Sequence, residues 1–444
     1  VERMIRLSDH FTCRRLLRFT FPSIVMLVFT SIYGVVDGFF VSNYVGKTPF
    51  AAVNFIMPFL LVLGCVGFMF GTGGGALIAK TLGEGDREKA NRIFSMLVWV
   101  SALCGVGLAI LGQLLLAPVA ALLGAEGEML ADSVTYGRII LLAIPAYVLQ
   151  YEFQCLFATA EKPKLGLAVT VAAGMTNVVL DALFVAGLSW GLEGAAAATA
   201  VSQCVGGLLP LLYFSRPNRS LLRLTRAGVD WRALRKACTN GSSEFLSNIS
   251  MSVVGMLYNF QLLRYAGEDG IAAYGVLMYV SLIFQAAFLG YSVGTAPVIS
   301  YHDGAGHYEE LRGLLRRSLG IVGVFALLMF AAAELLALPL SRLFVGYDQA
   351  LLALTLRGFQ LYSFSFLFSG LAIFGSSFFT ALNDGLVSAL ISFMRTLVFQ
   401  VVAVLLLPLL WGLDGIWAAT AAAELLAVAV TVAFLVGKRK KYHY

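Results

Sequence analysis

The chain has 444 residues, of which 59% are hydrophobic and 13% charged. A soluble domain carries roughly 25% charge, and apolar runs of about 20 residues recur along the whole length, so the composition excludes a soluble enzyme and points to a multi-span membrane protein. The formal net charge of +6 comes from basic loops, the ordinary mark of a cytoplasmic face rather than of a nucleic-acid surface.

Charge clusters and Gly/Pro breaks predict an all-α membrane protein with twelve transmembrane helices, over 15–42, 50–80, 92–117, 132–158, 164–187, 191–214, 237–264, 270–301, 313–338, 352–380, 385–409 and 412–436. Stretches such as "LLLAPVAALLG" do not alternate as the strands of a membrane barrel would. The first helix is too long for the apolar core of a cleavable signal. It contains Pro22, which removes a backbone hydrogen bond and permits a hinge, and Asp37, a carboxylate in the middle of an apolar run. Arg14, Arg15, Arg18, Lys162, Lys164, the loop "SRPNRSLLRLTRAGVDWRALRK" and the tail "GKRKKYHY" fall on one side. The opposite loops offer Lys47, Arg264 and Arg342. The bias predicts a cell-membrane protein with both termini in the cytoplasm.

The chain repeats itself. "SWGLEGAAAATA" (189–200) recurs as "LWGLDGIWAATA" (410–421). The same offset, without a gap, aligns Gly73, Gly83 and Gly85 with Gly294, Gly304 and Gly306, and Ser31, Gly34 and Gly46 with Ser252, Gly255 and Gly267. This predicts two pseudo-symmetric six-helix bundles: an N-terminal lobe, 1–214; a cytoplasmic linker, 215–236; and a C-terminal lobe with a basic tail, 237–444. An even number of helices makes both copies enter the membrane from the same side, a parallel repeat found in secondary transporters with the substrate between the halves.

The symmetry is broken at the acids. Asp37 aligns with Tyr258, and Asp181 with Val402. A charge at mid-span costs about 2.5–3.5 kcal/mol on insertion scales, so these carboxylates are candidates for function. Tyr33 and Asp37, and Asn177 and Asp181, are spaced i,i+4 and share helix faces. With Thr199 from the next helix, Asp37, Asn177 and Asp181 make an oxygen-rich set suited to a hard cation such as Na⁺, and the paired acids suit a proton. Arg395, inside the eleventh span, calls for a water-filled cavity or a remote carboxylate, and Glu424 is also mid-span. Glu244 reads as a carboxylate at a helix start. Tyr33, Gln154, Tyr258, Met278 and Arg395 are candidate cavity residues. The six cysteines show neither disulfide nor metal spacing. No GxxxxGK[ST] loop is present, so no ATP motor is expected, and the Gly-rich "GTGGG" (71–75) reads as close helix packing.

In "SIYGVVDGFFV", "TLGEGDREKA", "FATAEKPK" and "TNVVLDALFV" followed by "GLEGAAAATA", the chain resembles the MATE family of multidrug and toxic compound extrusion transporters along essentially its whole length. The resemblance implies a V-shaped exporter driven by Na⁺ or H⁺, with no further cofactor, acting on small-molecule drugs or organic cations. In one branch the cation site is in the N-terminal lobe, and its motif positions fall on Asp37, Asn177, Asp181 and Thr199. That branch's asparagine on the fourth helix is Gln154 here. A second branch carries acids on the seventh and tenth helices, whereas 352–380 holds no Asp or Glu. Pro22 matches the family's first-helix proline. A flippase for a lipid or lipid-linked sugar, from the wider superfamily, is the alternative; it would be expected to have a strongly cationic cavity.

Overall fold

The computed structural model describes residues 4–444, apart from the side chains of Lys47 and Glu268; Lys47, one of the few basic residues of the opposite loops, therefore has no described side chain. Twelve helices follow in order, ten or eleven of them long and apolar enough to cross a membrane. They are α1 (Cys13–Val45), α2 (Lys47–Gly83), α3 (Arg87–Leu122), α4 (Gly127–Leu142 and Ile144–Thr159), α5 (Pro163–Gly187) and α6 (Gly191–Ser215) in the first lobe. The second lobe begins with one helical run, Trp231–Ala305, interrupted at Gly267. Its arms are α7 (231–266) and α8 (268–305), followed by α9 (Tyr308–Val345), α10 (Gln349–Ala381), α11 (Gly385–Trp411) and α12 (Leu413–Gly437).

Each predicted span is present, and the differences have local causes. α4, expected as one straight helix, is bent by 61° at Ala143. Pro145 stands in the first turn of its second arm, where its missing N–H is harmless; carried into a continuous helix it would remove a hydrogen bond and clash. α7 starts at Trp231, ahead of the expected 237, because the Asp230 carboxylate accepts hydrogen bonds from the Arg232 and Ala233 amides (3.1 and 3.3 Å) and so caps the helix. The preceding loop lies along α3: Asn91 accepts from the Arg223 amide and Ser95 Oγ from that of Thr225, at 3.0 and 2.7 Å.

The duplication is written into the backbone. Gly46 (φ 138°) and Gly267 (φ 68°) break the first hairpin of each copy at the same repeat position. Left-handed φ also recurs at Gly85 and Gly306 and at Gly191 and Gly412, again at equivalent positions of the two copies. Only glycine adopts these angles without strain.

The lobes meet at one end. A Cβ on Gly73 would stand 2.0 Å from Ala237 O, and one on Gly241 1.9 Å from Met69 O. Gly83 and Gly304 make equally close approaches to Tyr301 O and Lys80 O. Within the "GTGGG" stretch Gly73 thus packs against the other lobe, while Gly71, Gly74 and Gly75 pack against Cys155, Leu97 and Thr159 of their own lobe, as expected of small residues in membrane helices. These contacts belong to the end that carries both termini, where His10 bonds Glu310 (2.6 Å) and Arg312 bonds His443 O (3.3 Å). Toward the other end the lobes splay: Gly34 and its repeat partner Gly255 face open space, and Phe39, Met256 and Phe260 are exposed.

Candidate functional site

Asp37, Asn177, Asp181 and Thr199 come together inside the first lobe. α1, α5 and α6 pack against one another, with Gly174 of α5 against Phe29 and Tyr33 of α1 and Ser202 of α6 donating to Ala173 O at 2.7 Å. This brings Thr199 Oγ1 to 3.4 Å from Asp37 Oδ1. The Asp181 carboxyl group faces that of Asp37, and Asn177, one turn earlier on α5, is buried on the same side. Asp181 is fully buried and Asp37 is 7% exposed. Both Asp181 oxygens and Asn177 Oδ1 have no hydrogen-bond partner in the structure. Buried oxygens of this kind require a partner, and a carboxylate pair with uncommitted oxygens, an amide oxygen and a hydroxyl form a donor set for a proton or an alkali cation.

The backbone changes pitch at these charges. A π-helical turn, Val41–Val45, closes α1 one turn past Asp37, and another, Ala182–Gly187, begins directly after Asp181. A third, Met394–Val398, holds Arg395. Such turns leave carbonyls less tightly held and are frequent at functional positions.

Two residues not singled out from the sequence lie nearby, Tyr136 at the acids and Gln150 at Tyr33. Tyr136, on the first arm of α4, is fully buried with its hydroxyl unpaired, beside Thr199 and the two carboxylates. Gln150, on the second arm, reaches Tyr33 and packs against Gly206 of α6. Gln154, one turn further on, is buried without a hydrogen-bond partner. The 61° bend of α4 determines which of its side chains face the acids, and periodicity alone does not reveal it.

The second lobe holds a different polar centre. Tyr258, at the repeat position of Asp37, donates to Gln400 Oε1 (2.8 Å) and shares a hydrogen bond with Thr420 (2.9 Å), the repeat partner of Thr199. Arg395 Nε donates to Glu424 Oε2 at 3.0 Å, with the two side chains only 13% and 2% exposed. The mid-span arginine thus has its remote carboxylate. Tyr258, Met278, Arg395 and Glu424 line a cavity of about 390 Å³, together with Tyr274 and Tyr362. Tyr33 and Gln154 are not part of that lining.

A further cavity of about 290 Å³ lies between the lobes, with Thr30, Ser31 and Tyr151 from the first lobe facing Glu244, Asn248 and Arg395 from the second. Arg395 lines both cavities and joins them. Glu244 corrects the reading of a carboxylate at a helix start. The earlier beginning of α7 places it more than three turns into the helix, in the interlobe wall and within electrostatic reach of Arg395. The same wall accounts for polar residues of α7: Glu244, Ser247 and Asn248 line the interlobe cavity.

A family model described as MatE matches residues 22–183 and again 245–406, one match per lobe. The chain belongs to the MatE family. It is accordingly a multi-span membrane transporter and not an enzyme. A "Multidrug export protein MepA" of Staphylococcus saprophyticus is 22% identical over 95% of this chain and 91% of its own length. Its namesake in Staphylococcus haemolyticus is 26% identical over 68% of this chain and 67% of its own length. Among solved structures, the "Outward-facing conformation of a multidrug resistance MATE family transporter of the MOP superfamily" superposes with a TM-score of 0.93 over the whole of both chains, at 20% identity. The two-lobed arrangement of twelve helices is therefore that of the MatE fold.

Proposed function

We propose that this MatE chain is an antiporter that exports amphipathic, cationic drugs or other toxic organic compounds in exchange for H⁺ or Na⁺. The observation that carries the reading is the facing pair Asp37 and Asp181, buried in the first lobe with both Asp181 oxygens unpartnered. An ionised pair at this depth demands a counter-cation. A proton or Na⁺, held by Asp37, Asn177, Asp181 and Thr199, neutralises it; an organic cation arriving from the interlobe cavity favours the ionised form. Loading one therefore expels the other, and the antagonism is reciprocal at equilibrium.

Alternating access is supplied by rocking of the first lobe against the second, with the segment between α6 and α7 as the tether. With the basic face in the cytoplasm of the cell membrane, the Gly73–Ala237 and Gly241–Met69 contacts seal the inner side and the splayed end faces outward. Pro22 in α1 is the hinge that transmits the state of Asp37. Membrane lipid surrounds the lobes; neither nucleic acid nor ATP has a part. The flippase reading has less support: Arg395 is tied to Glu424 at 3.0 Å, so the cavity is not the strongly cationic cradle that a lipid-linked pyrophosphate calls for.

The test is dye efflux from proteoliposomes with a proton gradient and a Na⁺ gradient imposed separately, repeated with Asp37→Asn and Asp181→Asn. One gradient should drive efflux, and each variant should abolish it while reconstituting normally. Efflux that ignores both gradients, or persists in both variants, refutes the reading.

A further inference from the structure

At the end that carries the termini, α1 and α5 part to leave a cavity of about 570 Å³. It belongs neither to the carboxylate pair nor to the interlobe space. Its rim is basic: Arg18 projects from α1, and Lys162 and Lys164 flank Pro163 at the start of α5. Among the described residues of the lining, Glu161 is the acid, beside the cations Lys162 and Lys164. The Lys162 ammonium lies 3.4 Å from Met4 Sδ, a thioether that does not balance its charge. The wall is apolar. Phe19 and Pro22 come from α1, and Leu165 and Ala168 from α5. Pro22 is one turn beyond Arg18 and Ala168 one turn beyond Lys164, so the apolar wall reaches about 6 Å deeper along the helices than the cations. Arg18, Lys164 and Ala168 are exposed at the outer surface of the bundle.

A cationic rim over an apolar wall, open toward the membrane, complements a ligand with an anionic head and a hydrocarbon tail. A soluble phosphate would gain nothing from the apolar wall, and the exported class of organic cations would be repelled by the rim. Basic pockets between membrane helices near the charged face recognise anionic lipid headgroups on these grounds. We propose that this cavity binds the headgroup of an anionic phospholipid of the adjoining leaflet, with Lys162 and Lys164 on the phosphate and an acyl chain along Phe19, Leu165 and Ala168. The site abuts Pro22, on the helix that carries Asp37.

The test is native mass spectrometry of the detergent-solubilised full chain, titrated with phosphatidylglycerol, with phosphatidylcholine of the same acyl chains, and with soluble glycerol phosphate. Phosphatidylglycerol should be retained in preference to phosphatidylcholine. Lys162→Gln with Lys164→Gln should reduce that preference roughly thirtyfold, the weight of two lysines at an anionic surface, and Lys162→Arg with Lys164→Arg should keep it. Ala168→Phe, which fills the apolar wall and leaves the charges, should also reduce retention and covers the case in which the glutamine variant fails to fold. Equal retention of the two lipids, unchanged preference in the glutamine variant, or equal affinity for glycerol phosphate overturns the proposal. The readout is independent of drug transport, so the site and the antiport reading stand or fall separately.

Discussion

The Thr199 hydroxyl donates to Asp37 Oδ1 at 3.4 Å across the contact between α6 and α1. The second lobe repeats this pair at the equivalent positions as Tyr258 and Thr420, 2.9 Å apart. One copy thus spends the position on a neutral phenol and the other on an acid, beside which the Tyr136 hydroxyl is left unpaired. Thr199→Val and Tyr136→Phe each remove one hydroxyl with little change of volume. A hydrogen bond to a charged group contributes about 1.5–3 kcal/mol, so Thr199→Val should raise the ion concentration for half-maximal exchange roughly tenfold while leaving expression intact, and Tyr136→Phe, which removes a hydroxyl that makes no hydrogen bond, should change it far less. Ion titrations of dye efflux measure this; unchanged half-saturation in Thr199→Val would remove its hydroxyl from the site.

Arg395 and Glu424 form a buried pair. Removing one partner of such a pair leaves an uncompensated charge and costs about 3–5 kcal/mol, whereas replacing both costs far less. Arg395→Gln or Glu424→Gln alone should therefore lower the thermal midpoint sharply, and the double variant should recover most of the loss. Additive losses in this cycle would mean that the two side chains do not support each other.

The closed end depends on backbone touching backbone at Gly241, where even a methyl group would stand 1.9 Å from Met69 O. Gly241→Leu should wedge the lobes apart at the termini and shift the population toward the oppositely open state. Spin labels at Glu84 and Glu309, on a cysteine-free background, should report a longer inter-lobe distance in the variant than in the parent. Superimposable distance distributions would show that this contact does not hold the closed face.

Burial pushes the Glu161 carboxyl, in the turn between α4 and α5, up to about 7. The folded state thus prefers it protonated. The associated stability is fully present below about pH 4.5, the ordinary range of a glutamate, and is lost as the pH rises through 7. Glu161→Gln should raise the thermal midpoint at pH 8 and leave it nearly unchanged at pH 4.5. A pH-independent effect would contradict this.

Much was legible in the chain itself because membrane spans, loop charge and duplication are local or periodic properties. A backbone in lipid must satisfy its own hydrogen bonds, so apolar length alone announces a helix. A single gapless offset announces a repeat, and an acid in one copy facing Tyr258 or Val402 in the other announces a place where function departs from scaffold. Asp37 and Asp181 were readable in this way, Asn177 from its i,i+4 spacing to Asp181 and Thr199 from the small-residue helix that follows; the structure places the four close together.

What the chain did not disclose lies in the third dimension. Tyr136 lies beside the acids and Gln150 beside Tyr33 from two arms of α4 that are bent by 61°, and sequence spacing predicts neighbours along a straight helix, not across a bent one. Glu424 was visible as a mid-span acid, but its bond to Arg395 spans 29 residues, and only packing of α11 on α12 selects it as the partner. Glu244 looked like a helix-start carboxylate until the Asp230 cap lengthened α7 and carried it into the interlobe wall. Composition and period determine which segments cross the membrane; which polar atoms then share a buried spot is decided by helix ends, bends and crossing contacts, where distances of a few ångströms separate a paired charge from an unpaired one.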